Sequence, residues 1–220
     1  MKTIEKNKLI FKNRFKKSGK NNITRTQVIN LIINRFGYNR YLEIGVRNPK
    51  NNFNKINCRY KVGVDPVGKP TFKGTSDDFF KQNKDIFDII FIDGLHLEEQ
   101  ADKDIQNSLN ALSPNGTIVM HDCNPTTYDR QVEIYRGGNH AWNGTVWKSY
   151  VKLRMSNKNL KMCVIDTDEG LGIIRRGQQN IFINKIEKLT YDFFDKNRNS
   201  LLNLISIDKF MENKKNHSGF

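Results

Sequence analysis

The stretch that decides the fold is FDIIFIDGLH, residues 87–96. Its apolar residues are mostly β-branched or aromatic and do not alternate strictly with polar ones, which is typical of a strand buried on both faces of a parallel sheet. The strand stops at Asp93, and His96 follows closely. Ligands of open α/β sheets bind outside the carboxyl ends of the strands. The stretch therefore predicts a carboxylate and an imidazole at a ligand-binding edge, although Asp93 could instead only cap the next helix.

A second strand, residues 117–120, is predicted to lie beside the first. Residues 97–112 carry apolar side chains at three- and four-residue spacing, which predicts an amphipathic helix between the two strands. Two strands joined by one helix form a right-handed unit in which the strands are parallel and usually adjacent. His121 and Asp122 follow the second strand directly. We therefore predict that Asp122 lies next to Asp93 at the same edge of the sheet.

Two earlier strands also end near polar residues. The strand at 41–46 contains Glu43 and Gly45, and the strand at 60–65 ends in Asp65, 20 positions after Gly45. Rossmann-type folds hold the ribose hydroxyls with an acid at about that distance from the glycine loop. A glycine at such a turn lets a ligand approach the backbone closely. The pattern G-x-G-x-x-G is absent after the first strand, which disfavours a dinucleotide, because a pyrophosphate needs the backbone amides of such a loop.

The remaining segments complete an α/β fold with a Rossmann-like sheet, mostly parallel, a C-terminal antiparallel hairpin and helices on both faces. In chain order we predict a helix at 25–36 with a capping box at Thr24, a short strand at 71–73, a helix after 76, a turn at 113–116, a lid loop at 123–146, a helix at 146–155, hairpin strands at 162–166 and 171–174, and C-terminal helices after 189. Ser76 is a candidate N-cap. We interpret Asp102 and Asp104 as a solvated helix face.

Composition predicts three regions: a basic arm at 1–22, a single domain at 23–210 and a polar tail at 211–220. The net charge is +14, and residues 1–20 carry eight Lys or Arg against one Glu. Such an arm can bind nucleic acid or an anionic membrane surface, but an AT-rich coding bias is the simpler interpretation. Three scattered cysteines argue against a disulfide framework. No apolar run suits a signal or a membrane span, so we expect a cytoplasmic protein.

Several motifs together are typical of one enzyme family. They are YLEIGVRNP at 41–49, GVDP at 63–66, FIDGLH at 91–96, GTIVMHD at 116–122, AWNGTVWK at 141–148 and DTDEGLG at 166–172. On these motifs the chain resembles the class I S-adenosylmethionine-dependent methyltransferases. More narrowly, it resembles the small sugar and natural-product O-methyltransferases found near polysaccharide clusters. The resemblance covers roughly residues 40–176.

The resemblance implies S-adenosylmethionine as the cofactor and assigns residues to its parts. Glu43 and Gly45 would shape the methionine end, and Asp65 would accept hydrogen bonds from the ribose hydroxyls. Ser76 and Asp77 would lie near the adenine. Asp93 also counts among the expected cofactor-binding residues.

The resemblance further implies catalytic and metal-binding roles. Metal-dependent relatives hold a divalent ion with acids after the fourth and fifth strands, here Asp93 and Asp122, and hard oxygen ligands suit Mg²⁺. Such an ion lowers the pKa of a bound hydroxyl. His96 or His121 would be the general base, so the catalytic candidates are His96, His121 and Asp93. Some relatives carry an acid where this chain has Leu95.

The methyl acceptor is expected to be a small molecule or glycan, through a sugar hydroxyl. Three alternatives remain open: a methyltransferase that acts on RNA or a nucleotide, a nicotinamide-dependent oxidoreductase, and a binding protein without activity. The C-terminal Phe and Leu stripes are a candidate homodimer face.

Overall fold

The computed structural model describes residues 23–135, 137, 141–182 and 188–212. The predicted basic arm and all of the tail beyond residue 212 lie outside the described residues. The elements in chain order are α1 (Arg25–Phe36), β1 (Arg40–Ile44), a 3₁₀ turn (Phe53–Lys55), β2 (Tyr60–Asp65), β3 (Phe72–Lys73), α2 (Ser76–Gln82), β4 (Phe87–Ile92), α3 (Glu98–Ala111), β5 (Leu112–Met120), a second 3₁₀ turn (Tyr128–Gln131), α4 (Val146–Ser156), β6 (Leu160–Ile165), β7 (Leu171–Arg176), α5 (Tyr191–Leu202), β8 (Leu204–Ile205) and α6 (Ile207–Glu212).

The described strands form one eight-stranded sheet in the order β3-β2-β1-β4-β5-β7-β6-β8. Strands β1 to β5 pair in parallel, and β8 is parallel to β6. Strand β7 is antiparallel to both of its neighbours, β5 and β6. The predicted sheet is therefore confirmed, including its parallel half and its C-terminal hairpin.

Strand β4 lies at the centre of this sheet and is buried on both faces, as its sequence predicts. Ile90 and Ile92 pack with the apolar residues of α3, α4 and α5. Ile89 and Phe91 face the opposite side and pack with α1 and α6. Because successive side chains of a strand point to opposite faces, this continuous apolar run supports helices on both sides of the sheet.

The register of the parallel strands brings their carboxyl ends to one level. Ile44 of β1 pairs with Ile92 of β4, and Ile92 pairs with Met120 of β5. Beyond these pairs, the N–H of Asp93 donates to Ile44 O at 2.9 Å, and the N–H of His121 donates to Ile92 O at 3.0 Å. The polar residues after β4 and β5 are therefore held side by side.

Helix α1 begins and ends where the sequence predicts. The Thr24 side chain accepts from the N–H of Gln27, and the Gln27 side chain accepts from the N–H of Thr24, which completes the capping box. Gly37 ends the helix in the left-handed conformation, with φ of 68°. This start matters for the site, because the first residue of α1 is Arg25.

The structure corrects four sequence-based expectations. The turn predicted at 113–116 lies within β5, where the pairing register with β4 shifts. Thr75, not Ser76, is the N-cap of α2. Asp104 is 1% exposed, so it does not belong to a solvated face. The C-terminal stripes contribute to the core through Phe194, Leu201 and Leu202, which are fully buried within the chain. These three side chains therefore offer no dimer face.

Candidate active site

A cleft of about 1140 Å³ opens at the carboxyl ends of β1, β2 and β4. Its walls include most of the residues predicted to bind the cofactor, which are Glu43, Gly45, Asp65, Ser76 and Asp93. Asp77 is exposed on α2, where its carboxylate lies 3.7 Å from Lys103 Nζ. Five positions predicted from separate motifs thus share one cavity, and Asp77 is not among the residues that line it.

Gly45 brings the end of β1 against the end of β4. Its φ is 92°, and a Cβ at this position would lie 1.9 Å from the carbonyl oxygen of Asp93. The sequence predicted a glycine that leaves room for a ligand. The structure shows that the absent side chain leaves room for the backbone of Asp93 itself.

Glu43 is a buried acid at the floor of the cleft, with only 2% of its surface exposed. Its Oε2 accepts from Tyr41 Oη at 2.5 Å and from Asn52 Nδ2 at 2.9 Å. Burial raises the pKa of Glu43 to about 7, although both hydrogen bonds act in the opposite direction. Glu43 therefore carries its charge at a free-energy cost, which a cationic ligand group beside it would reduce.

Replacing Glu43 by Gln is expected to stabilise the protein more at pH 8 than at pH 5. Because the folded pKa of Glu43 lies above the ordinary value of 4.5, the folded state retains the proton longer, and stability falls as pH rises between these two values. The difference in unfolding free energy between variant and wild type should grow by about 2–3 kcal/mol from pH 5 to pH 8. Urea unfolding of the variant and the wild type at both pH values measures this difference in free energy. Glu99→Gln, at an exposed position, is the control. If the unfolding free energies of Glu43→Gln and wild type differed by the same amount at pH 5 and pH 8, the raised pKa of Glu43 would be contradicted.

Asp65 closes β2 and is 6% exposed. Its Oδ2 accepts from the N–H of Arg47 at 2.8 Å, and its Oδ1 accepts from the N–H of Val67 at 2.8 Å. These bonds fix the carboxylate against the loops after β1 and β2. Each oxygen retains a second lone pair, so the oriented carboxylate can still accept from a hydroxyl in the cleft.

Two acids and two imidazoles meet beyond β4 and β5. Asp122 Oδ2 lies 2.8 Å from His121 Nδ1 and 3.2 Å from His96 Nε2. Asp93 Oδ1 lies 3.3 Å from His121 Nδ1 and 3.6 Å from His96 Nε2. The prediction that Asp93 and Asp122 lie side by side is therefore confirmed, with both histidines between or beside them.

The two histidines differ in what their ring nitrogens can do. His96 Nδ1 lies 2.8 Å from the carbonyl oxygen of Trp142, which can only accept, so a neutral His96 carries its proton there and leaves Nε2 bare. Both nitrogens of His121 face carboxylates, Nδ1 at Asp122 and Nε2 at Asp168, 3.3 Å away. His96 lines the cleft, and His121 is 5% exposed. Of the two histidines, only His96 lines the cleft, and in its neutral form its Nε2 can accept a proton beside Asp93 and Asp122.

The carboxylates raise the proton affinity of both imidazoles. Burial alone lowers the pKa of His121, but the charges of Asp93 and Asp122 outweigh it and raise that pKa well above its ordinary value. The pKa of His96 is also raised, because its contacts with Asp93 and Asp122 outweigh burial. Conversely, the pKa of Asp93 is lowered by His121, His96 and Arg25 despite its burial. The cluster is therefore held together by ionised groups.

Arg25 connects α1 to this cluster. Its Nη1 donates to Asp93 Oδ2 at 2.5 Å, and its Nη2 and Nε donate to Asp168 at 2.9 and 3.0 Å. The backbone N–H of Arg25 also donates to Asp168 Oδ2, at 2.6 Å. Asp168 sits in the turn between β6 and β7 with φ of 45°. One guanidinium therefore joins the first described helix, the centre of the sheet and the C-terminal hairpin.

Two described residues of the predicted lid, Trp142 and Asn143, lie against the cluster. Asn143 Nδ2 donates to Asp122 Oδ1 at 2.9 Å, while the fully buried Asn143 Oδ1 has no hydrogen-bond partner among the described residues. Trp142 stacks on His96, with ring centroids 4.9 Å apart, and lines the cleft. Trp142 therefore forms part of the cleft wall beside His96.

The donor atoms fit a divalent cation. One oxygen from each of Asp93 and Asp122 and one nitrogen of His96 lie within 4.8 Å of one another. The bare Nε2 of His96 facing two carboxylates is a site that favours a cation, either a proton or a metal ion. The two carboxylate oxygens are the donors of this set that suit Mg²⁺ and Mn²⁺.

Four residues of the site escaped the sequence analysis: Arg25, Gln100, Asn143 and Asp168. Asp168 falls within a motif that carries the family resemblance, which was a usable signal. Arg25 had only its position after the Thr24 cap to distinguish it from other basic residues. Asn143 also falls within such a motif, AWNGTVWK at 141–148, whereas nothing in the local sequence indicated that Gln100 would reach the cleft.

Comparisons with known proteins agree with the fold described above. Residues 39–123 match the model of a family described as a methyltransferase domain. A search of curated proteins finds no match. Three solved structures match with a TM-score of 0.52 each, and their identities to this chain are low.

The first is a Klebsiella pneumoniae protein provisionally described as an O-methyltransferase, 11% identical over 70% of this chain and 81% of that chain. Rv0187 from MTB, solved with its cofactor, is 14% identical over 71% of this chain and 82% of that chain. The methyltransferase PaMTH1 of Podospora anserina, bound to S-adenosylhomocysteine, is 17% identical over 71% of this chain and 80% of that chain. At these identities the similarity establishes the fold.

Proposed function

We propose that the chain is a class I methyltransferase that transfers a methyl group from S-adenosylmethionine to a hydroxyl oxygen of a sugar or glycan. The observation that carries the proposal is the bare Nε2 of His96, which lines the cleft beside Asp93 and Asp122. A base at this position can take a proton from an acceptor hydroxyl next to the cofactor cleft.

We place the cofactor along the cleft from Glu43 to Ser76. The buried carboxylate of Glu43 suits the ammonium group of the methionine end, and the guanidinium of Arg25 suits its carboxylate. Asp65, held by two backbone N–H groups, would accept from the ribose hydroxyls. Ser76 also lines the cleft, and the adenine would sit beside it. S-adenosylmethionine supplies the electrophilic methyl group.

The proton step belongs to His96. Trp142 fixes the ring by accepting from Nδ1 and by stacking on it. Nε2 then receives the hydroxyl proton as the acceptor oxygen bonds to the methyl carbon and the carbon–sulfur bond breaks. His121, enclosed by three carboxylates, would hold Asp93 and Asp122 in place as an internal cation.

Asp93 and Asp122 would hold a divalent ion, which when bound polarises the acceptor hydroxyl and lowers its pKa. Removing divalent ions with a chelator is therefore expected to slow methyl transfer, and Mg²⁺ should restore it. Calorimetric titration of Mn²⁺ checks the site directly. Asp122→Asn should weaken Mn²⁺ binding about tenfold or more, and the surface variant Asp85→Asn should not. Full activity in chelator together with undetectable Mn²⁺ binding would contradict the metal proposal.

The wall beside His96 suits a sugar ring. Trp142 lines the cleft there, Tyr135 lies against it with ring centroids 5.6 Å apart, and Leu95 is 56% exposed. A pyranose has an apolar C–H face that can lie on an aromatic ring, and its hydroxyls can reach polar groups at the ring edge. The acid cluster beside the same wall offers those polar groups.

An acceptor panel with methyl-labelled S-adenosylmethionine tests the proposal. The panel contains free monosaccharides, nucleotide-linked sugars, oligosaccharides, simple phenols and RNA, and mass spectrometry locates the label. We expect methylation of a sugar hydroxyl, strongly reduced in Trp142→Ala. Labelling of RNA alone, or of phenols alone, would contradict the sugar assignment. Labelling of nitrogen or carbon on every acceptor would contradict O-methylation.

A further inference from the structure

Gln100 lies on α3 at the end of the cleft where Gly74, Thr75 and Ser76 complete the wall. Its Nε2 lies within hydrogen-bond distance of three oxygens: Ser76 Oγ at 3.1 Å, Asp77 Oδ1 at 3.0 Å and Asp104 Oδ1 at 3.1 Å. No other residue of the cleft brings together a side-chain amide and so many acceptors among the hydrogen bonds described. These hydrogen bonds determine the orientation of the Gln100 side-chain amide.

The orientation of the amide follows from the chemistry of its neighbours. A carboxylate only accepts, so Asp77 and Asp104 both require the NH₂ group of Gln100 to face them. A hydroxyl oxygen can accept as well as donate, so Ser76 Oγ is compatible with the same orientation of the amide. A flipped amide would set Oε1 against these oxygens. The two hydrogens of Nε2 are therefore occupied, and Oε1 points away from the three acceptors.

Asp104 is the buried partner that fixes the orientation of the Gln100 amide. It is 1% exposed and belongs to the same helix as Gln100, one turn further on. A buried acceptor that loses its donor leaves an unsatisfied group, which is costly. The amide of Gln100 is thus held in one orientation by a buried partner as well as by exposed Asp77.

We infer that Gln100 Oε1 accepts a hydrogen bond from the 6-amino group of the cofactor's adenine and so selects adenine over hypoxanthine; this rests on the cofactor assignment of the proposed function. Oε1 can only accept, and the 6-amino group of adenine is a donor. A hypoxanthine ring carries a carbonyl oxygen at that position, which would oppose Oε1. Asp104 is a positioning residue, because it fixes the amide without touching the cofactor.

Calorimetric binding of S-adenosylhomocysteine and of S-inosylhomocysteine to the full chain tests this inference. The wild type should bind the adenosine compound at least about tenfold more tightly. Gln100→Met keeps the length and the apolar stem but removes the acceptor. It should weaken binding of the adenosine compound by about tenfold, leave the inosine compound unchanged and so remove most of the selectivity.

Two further variants sharpen the readout. Asp104→Asn offers an NH₂ group that permits the flipped amide, so it should reduce selectivity while the adenosine compound still binds. Gln106→Met, an exposed position on the same helix, is the matched control and should keep wild-type selectivity. Tight binding with unchanged selectivity in Gln100→Met would overturn the role of Gln100 and leave the methyltransferase proposal standing. Absence of S-adenosylhomocysteine binding to the wild type would overturn both.

Discussion

Replacing His96 by Gln is expected to lower kcat for methyl transfer by about 10²–10⁴-fold, the usual contribution of a general base. S-adenosylhomocysteine should still bind within a few-fold of the wild-type affinity, because the replaced ring lies at the acceptor end of the cleft. Gln is close in length to His and can still donate to the Trp142 carbonyl. The loss should therefore fall on proton transfer rather than on the position of the lid.

The pH dependence of wild-type kcat gives a second readout. The carboxylates of Asp93 and Asp122 raise the pKa of His96 above its ordinary value of 6.5. The neutral form of His96, which can accept a proton, therefore becomes available only at pH values above 6.5. We expect kcat of the metal-free enzyme to rise with pH in that range. His96→Gln should remove this rise.

Steady-state kinetics with an acceptor identified by the panel measure the effect. Gln106→Met is a suitable control here too, since it lies on the exposed face of α3. If His96→Gln retained more than about a tenth of wild-type kcat, the base would have to be another group. A loss of cofactor affinity equal to the loss of kcat would instead indicate a binding role for His96.

Gly45→Ala is expected to destabilise the protein by about 2–5 kcal/mol. The left-handed backbone of a non-glycine residue costs about 1–2 kcal/mol, and forcing an extra methyl group into packed backbone costs about 1–3 kcal/mol more. Both costs apply at Gly45, because its φ is 92° and the new Cβ would lie 1.9 Å from Asp93 O. Since the clash is with the backbone of a site residue, cofactor affinity should fall as well.

Gly37→Ala is the matched control for this prediction. Gly37 also has a positive φ, 68°, but a Cβ there would meet nothing within 4 Å. It should therefore lose only the backbone contribution, about 1–2 kcal/mol, and keep wild-type cofactor binding. Urea unfolding of both variants measures the difference. Equal losses at the two glycines would show that the contact between β1 and the Asp93 backbone contributes nothing.

The parallel half of the fold was predictable because each of its signals is local. The apolar run of β4 and the spacing of α3 are contained in short windows, and the handedness of strand–helix–strand units then places Asp122 beside Asp93. The capping box at Thr24 is likewise a four-residue pattern. Such features need no knowledge of the rest of the chain.

The remaining parts of the site depend on contacts between distant segments. Arg25 and Asp168 are 143 positions apart, and no local pattern relates a helix start to a hairpin turn. Asp104 looked like a solvated acid because its helix is polar, yet its side chain points at Ser76 and Gln100. Our proposal of His96 rather than His121 as the base also drew on the structure, because it depends on the groups that surround each ring nitrogen.

The nicotinamide alternative is disfavoured by the sheet itself. Dinucleotide-binding folds of the Rossmann type continue their parallel order as 3-2-1-4-5-6. Here the antiparallel β7 lies between β5 and β6, and the sequence lacks the phosphate-binding glycines.

Among the described residues, no helix is long and apolar enough to cross a membrane.

Calorimetric titration of S-adenosylhomocysteine into the purified protein, with NAD⁺ as the comparison ligand, tests the central claim most directly. We predict micromolar binding of S-adenosylhomocysteine, lost in Asp65→Ala, and no binding of NAD⁺. Binding of NAD⁺, or of neither ligand, would contradict the placement of the cofactor between Glu43 and Ser76.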